Sequence, residues 1–301
     1  MLEGTGGGPK MQVPVDKTTV RLALPKGRMQ DGVFQLLADA GIKVRAGSRA
    51  YRPTVSVPGY DAKILKPQNV VEMLHAGLRD VGFAGADWVA ELDGHLVELL
   101  DTGLDAVRLV AAAPVELLVD GRLPDRAIVV ASEYERLAQD WIARRGLDAT
   151  FVRSYGATEV FPPEDADCIV DLVASGDTLR ANRLEVFEEL MASSTRLYAN
   201  PAALQDPARR EPIERMILLL RSVLEARGRV MVEVNVPPDK LEAVIAVLPC
   251  MREPTVATLH GNAGYAVKVA VPRADLHRVI PEIKARGGTD IVVMNLAQIV
   301  P

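Results

Sequence analysis

From Thr19 onward, short apolar runs alternate with stretches of helical periodicity. Residues 19–25 (TVRLALP) read as a buried strand, and a helix follows from Met29 to Asp39, stopping before Gly41. Residues 54–58 and 62–66 read as a strand pair, and Pro67 opens a helix through His75 that ends at Gly77. Residues 80–85 form a strand running into Gly85-Ala86-Asp87 and a short helix at 88–92. Residues 96–101 and 106–114 read as two further strands. Beyond Pro114 the alternation resumes: a strand at 127–132, a helix from Glu133 to Arg145 closed by Gly146, a strand at 149–154 and another at 166–173. Such alternation predicts an α/β architecture with mainly parallel sheets.

Residues 185–190 and 195–200 read as strands. A long amphipathic helix then spans Pro207 to Arg227, with Ile213, Met216, Ile217, Leu220, Val223 and Leu224 forming a stripe that marks core or subunit contact. After Gly228 the order is strand 230–237, helix 238–247, strands 254–259 and 266–272, helix 274–286 and strand 290–296. That β-α-β-β-α-β order is the ferredoxin-like one and predicts a separate unit. It carries no phosphate loop, metal cluster or catalytic pair, which favours a binding or regulatory role. The glycine-rich start has neither an apolar core segment nor periodicity, and it reads as a disordered tail, through about Asp16, rather than a secretory signal.

Composition narrows the function. The 301 residues are 49% hydrophobic, ample for a large core, and the net charge of −5 provides no long-range field for nucleic acid. An anionic partner must therefore be held locally. No apolar run reaches the length of a membrane helix, so a cytoplasmic protein is expected. Cys168 and Cys250 sit among apolar neighbours and read as buried thiols, ahead of a disulfide or metal pair; the four histidines lack ligand spacing.

Four segments carry candidate chemistry. In residues 166–179 (ADCIVDLVASGDTL) a strand delivers Asp171, and the chain then turns through Ala174, Ser175, Gly176, Asp177, Thr178 and Leu179. Small residues let backbone N–H groups converge on an anion, a helix start adds its dipole, and Ser175 and Thr178 add hydroxyls. Alternatively Gly176 is a turn residue and Ser175 or Thr178 a helix cap. Asp177 is the odd member, because its charge repels phosphate unless it faces solvent or a metal. The second segment is Lys26-Gly27-Arg28 after the first strand: two cations suited to a triphosphate or pyrophosphate, or else a solvated turn. The third is residues 80–87, where the backbone can meet a ligand or simply make a tight strand–helix connection. Glu159, near Gly156, is either an acceptor for a substrate hydroxyl or a surface carboxylate.

Taken together, ALPKGR at 23–28, DVGFAGADWV at 80–89, GATEV at 156–160, ADCIVDLVASGDTL at 166–179 and PTV at 254–256 before a closing β-α-β unit resemble ATP phosphoribosyltransferases in their long form, from about Thr19 to Pro301. The resemblance implies two α/β domains like those of type II periplasmic binding proteins around a cleft, plus a third, ferredoxin-like (ACT-like) domain that binds histidine as feedback inhibitor. It implies domain I at 19–112 with a return segment at 194–227, domain II at 113–193, a regulatory domain at 229–301 and a disordered tail at 1–18. It further implies transfer of phosphoribosyl from phosphoribosyl pyrophosphate to N1 of ATP with Mg²⁺, opening histidine biosynthesis, in dimers and hexamers. Residue by residue, Ala174–Leu179 would cradle the 5-phosphate, Asp171 and Glu159 would serve the ribose, and Lys26, Arg28 and Lys66 would face ATP or the leaving pyrophosphate. Gly27, Gly85 and Asp87 would line the ATP side, and Asn235 and Thr255 would lie near the inhibitor. Lys66 and Asn69 stand where many members have an Arg followed three residues later by Asp, and Asn235 stands where some have an acid. Two other readings compete: a type I-like phosphoribosyltransferase for another base, with Asp167 and Asp171 as its acids, and a non-catalytic amino-acid sensor.

Overall fold

The computed structural model describes residues 18–47, 51–249 and 253–300. The tail expected through Asp16 and the buried thiol expected at Cys250 lie outside the described residues; Cys168 is a buried free thiol.

The chain order is β1 (Val20–Pro25), α1 (Arg28–Asp39), β2 (Val44–Arg45), β3 (Thr54–Val55), β4 (Tyr60–Leu65), α2 (Pro67–His75), β5 (Val81–Gly85), α3 (Ala86–Glu91) and β6 (Val97–Pro114). It continues with β7 (Ile128–Ser132), α4 (Glu135–Arg145), β8 (Ala149–Arg153), β9 (Cys168–Val173), α5 (Asp177–Ala181), β10 (Leu184–Ala199), α6 (Pro201–Gln205) and α7 (Pro207–Arg227). The C-terminal part comprises β11 (Arg229–Val236), α8 (Leu241–Ile245), β12 (Thr255–Thr258), β13 (Tyr265–Pro272), α9 (Leu276–Ala285) and β14 (Thr289–Asn295).

One 8-stranded sheet runs β4-β1-β5-β10-β6-β9-β7-β8. Its two flanks are parallel: β1 with β4 and β5, and β7 with β8 and β9. The centre is antiparallel, with β10 between β5 and β6 and β6 beside β9. The segments at 96–101 and 106–114 are not two strands. They form the single 18-residue β6, and 185–190 with 195–200 likewise form the single 16-residue β10. Positive φ at Gly103 and Asp105 breaks the apolar alternation within β6, and register shifts along its pairing with β10 let the long ribbon bend without ending. Residues 54–55 and 60–65 do not pair with each other either. β3 pairs with β2, whereas β4 joins β1 in parallel at the sheet edge.

Burial explains the elements. β1 is almost wholly buried because helices cover both faces of its parallel flank. On one face α1 and α7 pack Val33, Leu36, Leu37, Ile213, Met216 and Leu220 against Leu22, Leu24 and Phe83. The predicted stripe of α7 is thus core, and its start is capped by Asp206, whose carboxylate accepts the Ala208 N–H at 3.1 Å ahead of Pro207. The other face carries a core shared by the two flanks, in which Val70, Leu74 and Trp88 join Tyr134, Trp141 and Val130.

The C-terminal unit forms a 4-stranded antiparallel sheet ordered β12-β13-β11-β14. β11 alternates strictly: Val230, Val232, Val234 and Val236 point to a core with Val279 and Ile283 of α9. The order and connections match the ferredoxin-like arrangement. Among the described residues, no helix is long and apolar enough to cross a membrane.

Candidate active site

The parallel strands place their C-terminal ends along one cleft, the edge at which open α/β sheets bind ligands. Lys26 and Arg28 follow β1, Lys66 follows β4, Gly85 ends β5 and leads to Asp87, and Glu133 and Tyr134 follow β7. Gly156 and Glu159 follow β8, and residues 174–179 follow β9.

A cavity of about 270 Å³ is lined by Arg28, Glu159 and the continuous run Asp171–Leu179. An adjoining one of about 130 Å³ is lined by Lys26, Arg28, Gly85, Asp87 and Trp88, among others. Arg28 and Leu172 line both, so the two compartments meet between the flanks of the sheet. Lys66 sits at the N-terminal boundary of α2, next to Pro67 in the smaller compartment; the Lys26 N–H donates to the Leu65 carbonyl at 2.7 Å and holds the two turns together. Asn69 donates to Glu72 at 3.1 Å along α2. Lys26 Nζ lies 3.3 Å from Tyr51 Oη and 5.1 Å from the centre of its ring.

Asp171 sits on β9 opposite Val110, and one carboxylate oxygen accepts the Leu172 N–H at 2.7 Å. Burial raises its carboxyl from the ordinary 3.8 to about 6; the Leu172 bond opposes this, and the nearby Glu159 and Glu133 charges add to it. Glu159 is held in range by a short 3₁₀ turn at Thr158–Val160, fixed by the 2.7 Å bond between the Ser154 and Thr158 hydroxyls. Ser132 plays the matching part after β7. Its hydroxyl donates to the Val170 carbonyl at 2.6 Å and accepts the Tyr134 N–H at 2.9 Å, which fixes the turn carrying Glu133 and the buried Tyr134 after β7.

The loop after β9 turns at Gly176, whose φ of 80° suits glycine. α5, which follows, is 5 residues long, so its dipole adds less than a full helix would. Asp177 faces solvent, with its side chain 76% exposed. Its carboxylate accepts the Ser175 hydroxyl at 2.5 Å and pairs with Arg180; these bonds, Ser175 first, hold its carboxyl below the ordinary range.

Asp87 is only 4% exposed. It accepts the Tyr134 phenol at 2.9 Å and the Ser193 hydroxyl, while its own N–H donates to Ser193 at 3.1 Å. Burial, and then the Asp87 charge, keep the Tyr134 phenol far above its ordinary value, so it remains a donor. A Cβ at Gly85 would run into the Asp87 carboxylate, which explains a glycine there.

Sequence reasoning missed Glu133, Tyr134, Ser193 and Tyr51. The first two were recoverable, because they follow the C-terminal end of a parallel strand as the recognised residues do. Ser193 lies within β10 and Tyr51 beyond the short β2, where no local pattern marks a site. Asp167 is held by Arg126 and the Val129 N–H at the opposite end of β9, away from Asp171. Asn235 and Thr255 lie on β11 and β12 with β13 between them; Asn235 donates to Asp290 at 3.0 Å, and Thr255 is exposed.

Lys26 and Arg28 at the end of β1 on one wall thus face the loop 174–179 and the carboxylates of Asp171 and Glu159 on the other, across a cleft between the two flanks of the α/β sheet. Residues 66–222 match the family described as ATP phosphoribosyltransferase, and residues 226–298 match the C-terminal domain of that family. The ATP phosphoribosyltransferase of Pelotomaculum thermopropionicum is 33% identical over 287 residues, 94% of this chain and 99% of that protein. That of Chlorobium phaeobacteroides is 32% identical over 289 residues, 94% and 98% respectively. A solved structure described as an ATP phosphoribosyl transferase (HisG:HisZ) complex from Thermotoga maritima shares the fold, with a TM-score of 0.60 at 23% identity over 67% of this chain and 99% of that one. The chain belongs to the ATP phosphoribosyltransferase family.

Proposed function

We infer that the protein transfers the phosphoribosyl group of phosphoribosyl pyrophosphate to N1 of ATP and releases pyrophosphate, opening histidine biosynthesis in the cytoplasm. The observation that carries this reading is the meeting of two compartments at Arg28 and Leu172, one walled by Asp171 and the loop, the other by Lys26 and Asp87. In this reading residues 174–179 hold the 5-phosphate, Asp171 and Glu159 accept the ribose hydroxyls, and the purine end of ATP occupies the compartment of Gly85 and Asp87. N1 attacks C1 as the bond from C1 to the pyrophosphate oxygen breaks. Lys26, Arg28 and Lys66 take up the charge that develops on the departing pyrophosphate, with Gly27 lining the ATP side, so positioning and electrostatics supply most of the rate.

Among the described residues, no group of three or more His, Cys, Asp or Glu side chains is placed to hold a metal. The carboxylates of Asp171 and Glu159, both on the wall of the larger cavity, fit the water shell of a Mg²⁺ held on the diphosphate of a substrate, where the ion would neutralise charge. Residues 19–112 with 194–227, and 113–193, serve as the catalytic domains. The unit at 229–301 serves as the histidine-binding domain with Asn235 and Thr255, in a homo-oligomer up to the hexamer.

A pyrophosphate-release assay with phosphoribosyl pyrophosphate tests the reading. Release is expected with ATP and not with orotate or free purine bases, and histidine suppresses it. Release with a base alone would indicate a different phosphoribosyltransferase; no release, with tight histidine binding, would indicate a sensor.

A further inference from the structure

Asp177 lies within the phosphate loop and carries the same sign of charge as the ligand proposed for it. Its carboxylate accepts from the Ser175 hydroxyl at 2.5 Å and from the Arg180 guanidinium. Arg180 also donates to the Ser175 carbonyl at 3.2 Å, and its Nη1 lies 3.1 Å from where a Cβ on Gly176 would sit. The guanidinium therefore lies against the turn, while its side chain stays 66% exposed. An acceptor carboxylate already holds one of the loop's anion donors, the Ser175 hydroxyl, together with Arg180 of α5, and it does so from a position 76% exposed.

We propose that Asp177 is an affinity-setting residue of the phosphate loop, an internal anion that must release the Ser175 hydroxyl when the 5-phosphate arrives. The proposal rests on the reading of this loop as the 5-phosphate cradle. On binding, Ser175 exchanges its carboxylate acceptor for a phosphate oxygen, while Arg180, anchored by the Ser175 carbonyl, stays against the turn. The displaced carboxylate remains within the range of unscreened repulsion from a doubly charged phosphate. Both effects weaken binding of the phosphoribosyl substrate and leave the ATP compartment untouched, since Asp177 lines the larger cavity and not the smaller.

The test compares the full-length enzyme with Asp177→Asn and Asp177→Ala, using ribose 5-phosphate as a competitive inhibitor against phosphoribosyl pyrophosphate. Both variants are expected to lower KM for phosphoribosyl pyrophosphate and Ki for ribose 5-phosphate about fivefold. KM for ATP should not move, a split that a merely structural effect would not produce. In a Ser175→Ala background the gain from Asp177→Ala, which removes the acceptor as well as the charge, should shrink; a full gain there would overturn the exchange at Ser175. An unchanged or raised KM for phosphoribosyl pyrophosphate in Asp177→Asn would overturn the proposal. Gly176→Val separates that failure from failure of the loop reading. It should abolish turnover, and wild-type turnover by this variant would remove the cradle itself.

Discussion

Asp171 pays in stability for its place on β9. A buried acid whose carboxyl titrates at about 6 rather than 3.8 keeps its proton in the folded state over a range in which the unfolded chain has lost it. Folding is therefore progressively destabilised as pH rises from about 4 to about 6, and above that the full cost, about 3 kcal/mol, is present. Asp171→Asn should abolish turnover yet raise the melting temperature at pH 8, and the difference should vanish near pH 4; a lower melting temperature at pH 8 would contradict this. In the role proposed for Asp171 the ionised form accepts ribose hydroxyls, so kcat/KM for phosphoribosyl pyrophosphate should climb with pH up to about 6 and level off above it. A flat profile from pH 5 to pH 8 would rule that role out. Asp171 and its loop were legible because strand, small residues and hydroxyls follow one another in the chain. The Asp87–Tyr134–Ser193 network was not, because its members are 47 and 106 positions apart and meet only once the sheet has formed.

Among the elements, α4 shows how a boundary can be unreadable locally. The sequence places its start at Glu133, and no side chain at its own N-terminal boundary caps it. Glu91, at the end of α3, performs that task, accepting the Arg136 and Leu137 N–H groups at 3.0 Å each, while Arg136 donates back to the Glu91 carbonyl at 3.1 Å. The cap joins the two flanks of the sheet on the side where Asp87 meets Tyr134. Glu91→Ala strands those donors and leaves a buried void, a loss of about 2 kcal/mol. For a protein of this size that corresponds to a fall of about 5 °C in melting temperature, which thermal denaturation followed by circular dichroism would register; no fall would show the cap to be dispensable. Periodicity did locate α1, α7, β11 and β13, because each buries one regular face. It split β6 and β10, whose bulged, bent ribbon interrupts alternation without interrupting hydrogen bonding.

At the scale of the molecule, the C-terminal unit touches the catalytic part through α7 and through the chain end. The Ile299 N–H donates to the Ser222 carbonyl at 2.9 Å, Gln298 reaches the Asp39 carbonyl at 3.4 Å, and Arg227 pairs with Asp39 at 2.8 Å. Asp39 closes α1, the helix that begins at Arg28 in the cleft, so one rigid element links this junction to the site. Deleting residues 229–301 should relieve inhibition by histidine while pyrophosphate release persists; inhibition that survives the deletion would place the histidine site elsewhere.

The ribbon of β6 and β10 also bears on how the protein comes apart. Both strands run through the centre of the sheet, so the sequence boundaries near 112 and 193 fall within or beside strands rather than in linkers. Neither flank can melt without stripping the shared strands from the other, whereas the last unit closes its own core around Val230–Val236. Calorimetry should therefore record a single cooperative transition for both catalytic domains and a separable one for the C-terminal unit. A fragment ending at residue 112 should be as unstructured as the rest of the broken sheet, because what looks like two domains in outline is one folding unit.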